Sequence, residues 1–196
     1  MGPDQRILDV VVDHRSTGLD TAMRVVTEFG SFWVLWLIGI AVTIVWWRRF
    51  GDWLAARVLA ITAGTAWASS NLIKWIVDRD RPPLGLRLVD ATGSAFPSGH
   101  STQSAAMYGA IAVLWAVHQP DPRRGRVALV LAGLVAVAVG LSRVYLGVHW
   151  SFDAFGVNGR GEFDPSLDVG GVQLGLKIAE DIFAFGNGKG PSKSPV

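Results

Sequence analysis

The stretch FGSFWVLWLIGIAVTIVWW, residues 29–47, contains no charged side chain and is closed by Arg48 and Arg49. It is long enough to cross a bilayer, because a spanning helix needs about 20 mostly apolar residues. Three further apolar runs lie at 53–77, about 104–117 and 127–141. The last two are short unless flanking residues join them, and each alone would also suit a buried helix of a soluble protein. Together the four runs predict a helical membrane bundle, since helices satisfy their own backbone hydrogen bonds in lipid.

The composition favours the same class. Half of the 196 residues are hydrophobic and 17% are charged, and the mean hydropathy is +0.34, which is too apolar for an ordinary soluble domain. The net charge of +2 suits anionic lipid or phosphate partners, and without a long basic stripe it does not indicate nucleic acid. The absence of cysteine excludes disulfides, thiolate nucleophiles and zinc–thiolate sites. Several of the nine tryptophans flank the apolar runs, as interfacial residues do, whereas Trp36 and Trp67 are predicted to lie in the core.

The chain divides into three segments. Residues 1–30 form the N-terminal segment that leads into the first run. Leu19, Met23 and Val26 recur there at helical spacing, which predicts an amphipathic helix that either lies in the membrane interface or caps the bundle. Residues 31–153 form the predicted membrane-embedded core, and residues 154–196 form a polar, Gly-rich tail that is expected to be poorly ordered. The predicted fold is therefore all-α: a transmembrane bundle of about four spans, an N-terminal amphipathic helix and an atypical C-terminal tail. Lys and Arg residues occur on both sides of it, so their count does not set the orientation.

Polar residues gather where three of the predicted spans end. Because consecutive helices alternate in direction, these three places fall on one face of the membrane. The residues concerned are Lys74 at the end of the second run and Arg81 just beyond it, Ser98, Gly99 and His100 before the third, and Arg143, His149 and Asp153 after the fourth.

This set of side chains suits a phosphate group. Arg offers a planar fork of donors and Lys a point charge. The motif PSGH, residues 97–100, stands where a helix is predicted to begin, so free backbone N–H groups add to the positive end of the helix dipole. Ser98 can donate its hydroxyl hydrogen, and Gly99 allows a close approach of the backbone.

His149 and Asp153 are four residues apart and would share one face of a helix. An aspartate that accepts from one imidazole nitrogen fixes the tautomer and leaves the other nitrogen as a nucleophile. His100 is then available as a general acid to the leaving oxygen. Arg143 and His149 do not fit one helical face, so a break is expected between them, and Gly147 can provide it.

Each residue alone also has a structural interpretation. Lys74 can extend its ammonium group to the membrane interface, and a single histidine is more often structural than catalytic. Arg79 stands between Asp78 and Asp80, and it is interpreted, like Arg87, as a solvated loop charge.

Three motifs together carry a resemblance: KWIVDRDRP at 74–82, PSGH at 97–100 and SRVYLGVHWSFD at 142–153. They match in type, order and spacing the three-part signature of the type 2 phosphatidic acid phosphatase superfamily, which this chain resembles over about residues 30–153. The resemblance implies that His149 attacks phosphorus to form a phosphohistidine, that Asp153 orients it, and that His100 protonates the leaving group. It implies phosphate binding by the remaining motif residues, Lys74, Arg81, Ser98, Gly99 and Arg143. No metal or cofactor is expected, because cations and backbone donors stabilise the developing charge.

The resemblance also implies a substrate class and a location. An integral protein of the bacterial cell membrane is expected, with its active site on the outer face. Its expected partners are membrane lipids and a lipid phosphate: phosphatidic acid, phosphatidylglycerol phosphate or undecaprenyl diphosphate. The sequence sets neither the choice of lipid nor the oligomeric state.

Two alternatives stay open. Integral members usually have six spans, whereas only about 30 residues precede the first run here and no apolar span follows Asp153. This departure motivates a non-catalytic protein that binds lipid phosphate or has a structural role in the membrane. Vanadate-dependent haloperoxidases share the phosphate pocket and are the second alternative, although they are larger, soluble proteins.

Overall fold

The structure is a computed structural model that describes residues 2–155. These residues form seven α-helices, one 3₁₀ turn and no strand, so the predicted all-α class is confirmed over this part of the chain. The elements are α1 (Pro3–Asp13), α2 (Thr17–Glu28), α3 (Phe32–Phe50), α4 (Leu54–Val77), a 3₁₀ turn (Leu84–Leu86), α5 (Gly99–Ala116), α6 (Pro122–Tyr145) and α7 (Ser151–Phe155). The predicted tail lies outside the described residues, except for residues 154 and 155, which belong to α7.

Four long helices, α3 to α6, form the bundle. Each packs against the next along the chain, and α5, which also contacts α3, makes its most extensive contact with α6. Short connections at residues 51–53 and 117–121 lie at one end of the bundle, whereas the long segment 78–98 and the turn after α6 lie at the other. This alternation brings the three predicted motifs to one end.

Two of the four long helices, α3 and α6, meet the length and hydropathy expected of a membrane span. A helix of 19 residues such as α3 rises about 28 Å, close to the thickness of the hydrocarbon core. Helices α4 and α5 are of similar length but contain more Ser, Thr, Asn and Gln. The prediction for Trp36 and Trp67 was wrong: both side chains are more than half exposed, because they point outward from α3 and α4, where lipid would be their solvent.

The interior is apolar in one half, whereas in the other half it combines apolar and polar side chains. Leu35, Trp46, Leu59, Met107 and Leu114 belong to one buried apolar cluster between α3, α4 and α5. Toward the start of α5 and the end of α6, buried apolar side chains such as Leu146 and Val148 are mixed with polar or charged ones: Ser98, Ser101, Ser104, Ser142, Arg143, His149, Ser151 and Asp153. Burial of that many polar groups is costly without partners, so this end is organised by hydrogen bonds.

Helices α5 and α6 begin before their apolar runs. The N-cap of α5 is Ser98, whose Oγ accepts from the N–H of Ser101 at 3.4 Å. The N-cap of α6 is Asp121, whose Oδ1 accepts from the N–H of Arg123 at 2.9 Å. Capping side chains satisfy backbone donors that the helix leaves free, so both helices are longer than hydropathy alone indicates. The break predicted at Gly147 is confirmed, with a φ of 72° there.

The N-terminal segment forms two helices that cap the bundle. Helix α2 covers the predicted amphipathic stretch and packs on α6, while α1, which the sequence did not predict, contacts α6 and α7. Tyr145 donates its hydroxyl to Asp20 at 2.8 Å, and Arg143 donates to Thr27 Oγ1 at 3.0 Å. These polar contacts favour the capping interpretation over a helix that only lies in the interface.

Candidate active site

Lys74 lies in the last turn of α4. Its Nζ donates to the carbonyl oxygens of Ser94 at 2.8 Å and Pro97 at 2.6 Å. The ammonium group therefore turns inward and ties the end of α4 to the segment that leads into α5. Its two partners are neutral, which leaves its positive charge uncompensated by either of them.

Arg81 is held by a set of backbone carbonyls. Its guanidinium donates to Gly93 and Val148 at 2.8 Å and to Thr92 at 2.9 Å. The same Nη1 atom that bonds Val148 also reaches His149 Nε2 at 3.1 Å. The pKa of Arg81 is lowered mainly by burial and to a smaller extent by the positive charge of Arg87. The group nevertheless stays charged, as guanidinium groups do in proteins. Arg81 thus places a fixed cation directly beside an imidazole nitrogen.

The PSGH motif forms the start of α5 and contacts the third motif. Ser98 is fully buried, and its N–H donates to the carbonyl oxygen of Asp153 at 3.0 Å. Among the described residues, no atom outside its immediate neighbourhood lies within 4 Å of the position that a Cβ of Gly99 would take, so a ligand can approach the backbone there. His100 follows in the first turn of α5 and is half-buried.

His149 is almost fully buried, with 2% of its surface exposed. It precedes α7, so His149 and Asp153 do not share one helix as the spacing predicted; the turn at Gly147 places His149 before the helix begins. The distance from His149 Nδ1 to Asp153 Oδ2 is 3.7 Å, longer than a hydrogen bond. The two side chains nevertheless face each other.

The groups on the two sides of the imidazole favour one tautomer of His149. Arginine has only donors, so Nε2 accepts in this contact and the proton of a neutral imidazole sits on Nδ1, where the carboxylate of Asp153 faces it. Burial lowers the pKa of His149 to about 4; the Asp153 carboxylate acts in the opposite direction, and the charges of Arg81 and Arg143 lower it further. A neutral imidazole with its lone pair on Nε2 can act as a nucleophile.

Asp153 is held by two donors. Its Oδ2 accepts from the N–H of Trp150 at 2.9 Å, and its Oδ1 accepts from Arg79 Nη1 at 2.6 Å. The interpretation of Arg79 as a solvated loop charge was wrong, because its other branch, Nη2, pairs with Asp4 at 2.7 Å. Its position two residues before Arg81, in the same loop, was the sequence feature that could have indicated that Arg79 lies near the site. Nothing in the sequence pointed to Asp4.

Arg87 is likewise held by carbonyl oxygens, those of Pro82 at 2.8 Å and Ala91 at 3.3 Å. It orders the loop that carries Arg81 and so is not a freely solvated charge, contrary to the prediction.

Arg143 lies at the end of α6 and is 6% exposed. Its Nη1 donates to Thr27 Oγ1 at 3.0 Å, while its buried Nε has no hydrogen-bond partner within residues 2–155. A buried guanidinium N–H without an acceptor is costly, so this group favours a ligand that supplies one.

The charges around His149 are unbalanced. Within the described part of the chain, no carboxylate lies within 4 Å of Lys74, Arg81 or Arg143, whereas Arg79 is neutralised by two carboxylates. Arg143 is buried and Lys74 and Arg81 are partly buried, and cations in such positions without a counter-charge favour an anionic ligand. The sequence-predicted residues are thus brought together at one end of the bundle, and the arrangement suits an oxyanion with several oxygens.

An apolar cavity of about 470 Å³ opens between α3, α4 and α5. Its polar lining residues are Thr43 and Gln103, and the others include Trp36, Leu59 and Trp67. Gln103 lies one turn of α5 beyond His100, so the cavity extends from the polar end of the bundle toward its apolar half.

A family model and a characterised relative both match this chain over more than half of its length. The family model of the PAP2 superfamily matches residues 53–156. Phosphatidylglycerophosphatase B of Bacillus subtilis is 32% identical over 156 residues, which cover 78% of this chain and 75% of that protein.

Two solved structures share the architecture. The crystal structure of a transmembrane PAP2-type phosphatidylglycerolphosphate phosphatase from Bacillus subtilis superposes with a TM-score of 0.76 at 27% identity, and covers 97% of this chain and 87% of its own. The structure of Aquifex aeolicus LpxE, at 20% identity, matches with a TM-score of 0.65 over 92% of this chain and 96% of that one, which supports the fold alone.

Proposed function

The chain belongs to the PAP2 superfamily, and from this premise and the polar end of its bundle we propose that it is a membrane lipid-phosphate phosphatase. Among candidate substrates, phosphatidylglycerol phosphate comes first, because relatives at 32% and 27% identity are named for activity on it. Phosphatidic acid and undecaprenyl diphosphate share the phosphate group and are the other two candidates.

One observation carries the proposal: a neutral, buried imidazole lies beside cations that have no carboxylate partner in the described part of the chain. His149 Nε2 accepts from Arg81, and the buried Nε of Arg143 has no acceptor there. A phosphate group bound to Lys74, Arg81 and Arg143 would balance the charge and place phosphorus within reach of Nε2.

The reaction then proceeds in two displacements. In the first, the lone pair of His149 Nε2 forms the N–P bond, the P–O bond to the lipid breaks, and the leaving oxygen takes a proton from His100. Arg81 moves its Nη1 from Nε2 to a phosphate oxygen as the substrate enters. In the second, water gives a proton to His100 and attacks phosphorus, the N–P bond breaks, and inorganic phosphate leaves.

The apolar cavity suits the acyl chain of such a substrate. It begins near Gln103, one turn from His100, and runs between α3 and α4, where its lining is almost wholly apolar. A lipid held there would keep its headgroup at the polar end of the bundle and its tail in the membrane. We place that end at the outer face of a bacterial cell membrane, where the family's integral members act on lipid phosphates.

The experiment is phosphate release by detergent-purified protein with EDTA present, from phosphatidylglycerol phosphate, phosphatidic acid and undecaprenyl diphosphate. We expect release from at least one lipid and its loss by more than about a thousandfold in His149→Ala, because the nucleophile is removed. His14→Ala is the matched control, since His14 is exposed on the N-terminal segment and should not affect release.

Activity that survives His149→Ala contradicts the mechanism. A folded protein that binds inorganic phosphate but releases none from any lipid favours a binding role instead. Oxidised halide formed with added vanadate and peroxide points to the haloperoxidase alternative.

A further inference from the structure

A buried carboxylate of the N-terminal helix reaches the centre of the site. Asp4 lies in the first turn of α1 and is 7% exposed. Its Oδ1 accepts from the N–H of Phe152 at 3.1 Å and from the hydroxyl of Ser151. It therefore binds the start of α7, the helix that carries Asp153, although about 150 residues separate the two in sequence.

Arg79 connects Asp4 to Asp153. Its Nη2 lies 2.7 Å from Asp4 Oδ2 and its Nη1 lies 2.6 Å from Asp153 Oδ1. A guanidinium has a rigid fork, so the two carboxylates are fixed relative to each other. Arg79 occupies Oδ1 and the N–H of Trp150 binds Oδ2 at 2.9 Å, so Oδ2 stays on the side of His149, 3.7 Å from Nδ1.

We infer that Asp4 is a positioning residue for His149 and acts through Arg79 and Asp153. This inference rests on the proposed function, in which His149 is the nucleophile. With the charge of Asp4 removed, Asp153 is the sole carboxylate partner of Arg79 among the described residues. The guanidinium then competes with the N–H of Trp150 for Oδ2 and takes both oxygens of Asp153 in a bidentate pair. Oδ2 then turns away from Nδ1, and the preference for the Nδ1–H tautomer weakens.

Asp4→Asn tests the inference. The amide keeps the volume of the side chain and an oxygen acceptor for the N–H of Phe152, but it loses the ion pair with Arg79. We expect kcat to fall about ten- to a hundredfold, because a small error in the position of a reacting group lowers the rate by such factors. We expect KM and the inhibition constant of inorganic phosphate to stay within about twofold, because the phosphate-binding cations are untouched.

Matched variants separate positioning from general damage. Asp13→Asn makes the same change at an exposed site on α1 and should leave kcat unchanged, and Asp4→Glu, which keeps the charge, should recover most of the activity. An unchanged kcat in Asp4→Asn overturns the inference. So does a parallel loss of phosphate affinity, which would mean that the whole site has collapsed.

A double-mutant cycle checks the route. Because Asp4 acts through Arg79, the double variant Asp4→Asn/Arg79→Gln should have the same kcat as Arg79→Gln alone. If the two residues had independent roles, the losses of the two single variants would instead combine. If a thermal-unfolding measurement shows that Asp4→Asn is not folded, Arg79→Lys is measured in its place. Lysine keeps the charge but has no fork to bridge two carboxylates, so we expect the same fall in kcat at constant KM.

Nitrogen-15 NMR of the imidazoles makes the test independent of turnover. In the wild type we expect His149 as the Nδ1–H tautomer, and in Asp4→Asn a measurable population of the Nε2–H form. An identical His149 spectrum in both proteins overturns the inference. If the wild type releases no phosphate, the proposed function fails, while the spectra still decide whether Asp4 positions His149.

Discussion

At the scale of single residues, the site depends on keeping His149 neutral. Only 2% of its surface is exposed, and withdrawal from water penalises the charged imidazole. Arg81 both adds positive charge and occupies Nε2, so protonation there would break a hydrogen bond and bring two cations together. The folded protein therefore binds a proton at His149 less readily than the unfolded chain does.

This difference predicts how stability depends on pH. The pKa of His149 is about 4 in the folded protein against an ordinary value of 6.5, so between these values the unfolded state binds more protons. The contribution of neutral His149 to stability is then complete above about pH 6.5 and falls as the pH drops toward 4. We expect His149→Gln to remove this part of the decline in Tm, and His14→Gln, at an exposed position, to retain it. Parallel Tm curves for wild type and His149→Gln would contradict the assignment.

At the scale of elements, the turn after α6 is locked between the N-terminal segment and the loop that follows α4. Arg15 donates to the carbonyl oxygens of Tyr145 at 2.6 Å and Leu86 at 2.8 Å. The N–H of Leu88 donates to the carbonyl oxygen of Leu146 at 2.9 Å. Three separate elements thus meet just before His149, and the backbone at Gly147 has no room for a side chain.

Gly147→Ala should show this constraint. A Cβ would overlap the carbonyl oxygen of Leu86 and lie 2.8 Å from Arg15 Nη2, at a φ of 72°. We expect a loss of at least about 1–3 kcal/mol from the left-handed backbone alone, seen as a lower Tm in detergent, together with reduced phosphate release. The control Gly109→Ala lies in α5, where a Cβ has open space, and should be neutral or stabilising. Equal Tm values for the two variants would contradict this account.

At the scale of the whole molecule, the bundle has two chemically different ends. The segment 78–98 and the residues after α6 gather the polar groups, while the short connections at 51–53 and 117–121 form the opposite end. Between them, α3 and α6 expose large apolar side chains such as Trp33 at 69% and Val130 at 61%. In water such surface would be costly, whereas in lipid it is the expected outer face of a membrane protein.

The proposed orientation is testable because the chain has no cysteine of its own. Leu84, which is 78% exposed, lies at the polar end, and Arg124 is exposed at the opposite end. We expect a membrane-impermeant maleimide to label Leu84→Cys but not Arg124→Cys in intact bacteria, and both after lysis. Labelling of Arg124→Cys alone in intact cells would place the site on the inner face.

The sequence by itself determined the helical bundle and the residues of the three motifs. Hydropathy is a local property, so the apolar run at 29–47 predicted α3 to within three residues at either end. The spacing of Lys74, Ser98 and His149 relative to those runs put them at one end of the bundle, because neighbouring helices alternate in direction. Their catalytic roles stay predictions that the experiments above address.

Only the tertiary structure decided what surrounds His149. Asp4 and Arg79 are 75 positions apart, and no periodicity or motif spacing encodes such a pair. Arg79 was interpreted from the sequence as a solvated charge, because the segments that pack over a side chain and bury it cannot be read from its neighbours in sequence. The same holds for Trp36, which faces outward, and for the contact between Arg143 and Thr27. Pairing of buried polar groups is a property of the packed bundle, since their desolvation cost and their partners both arise only when distant segments meet.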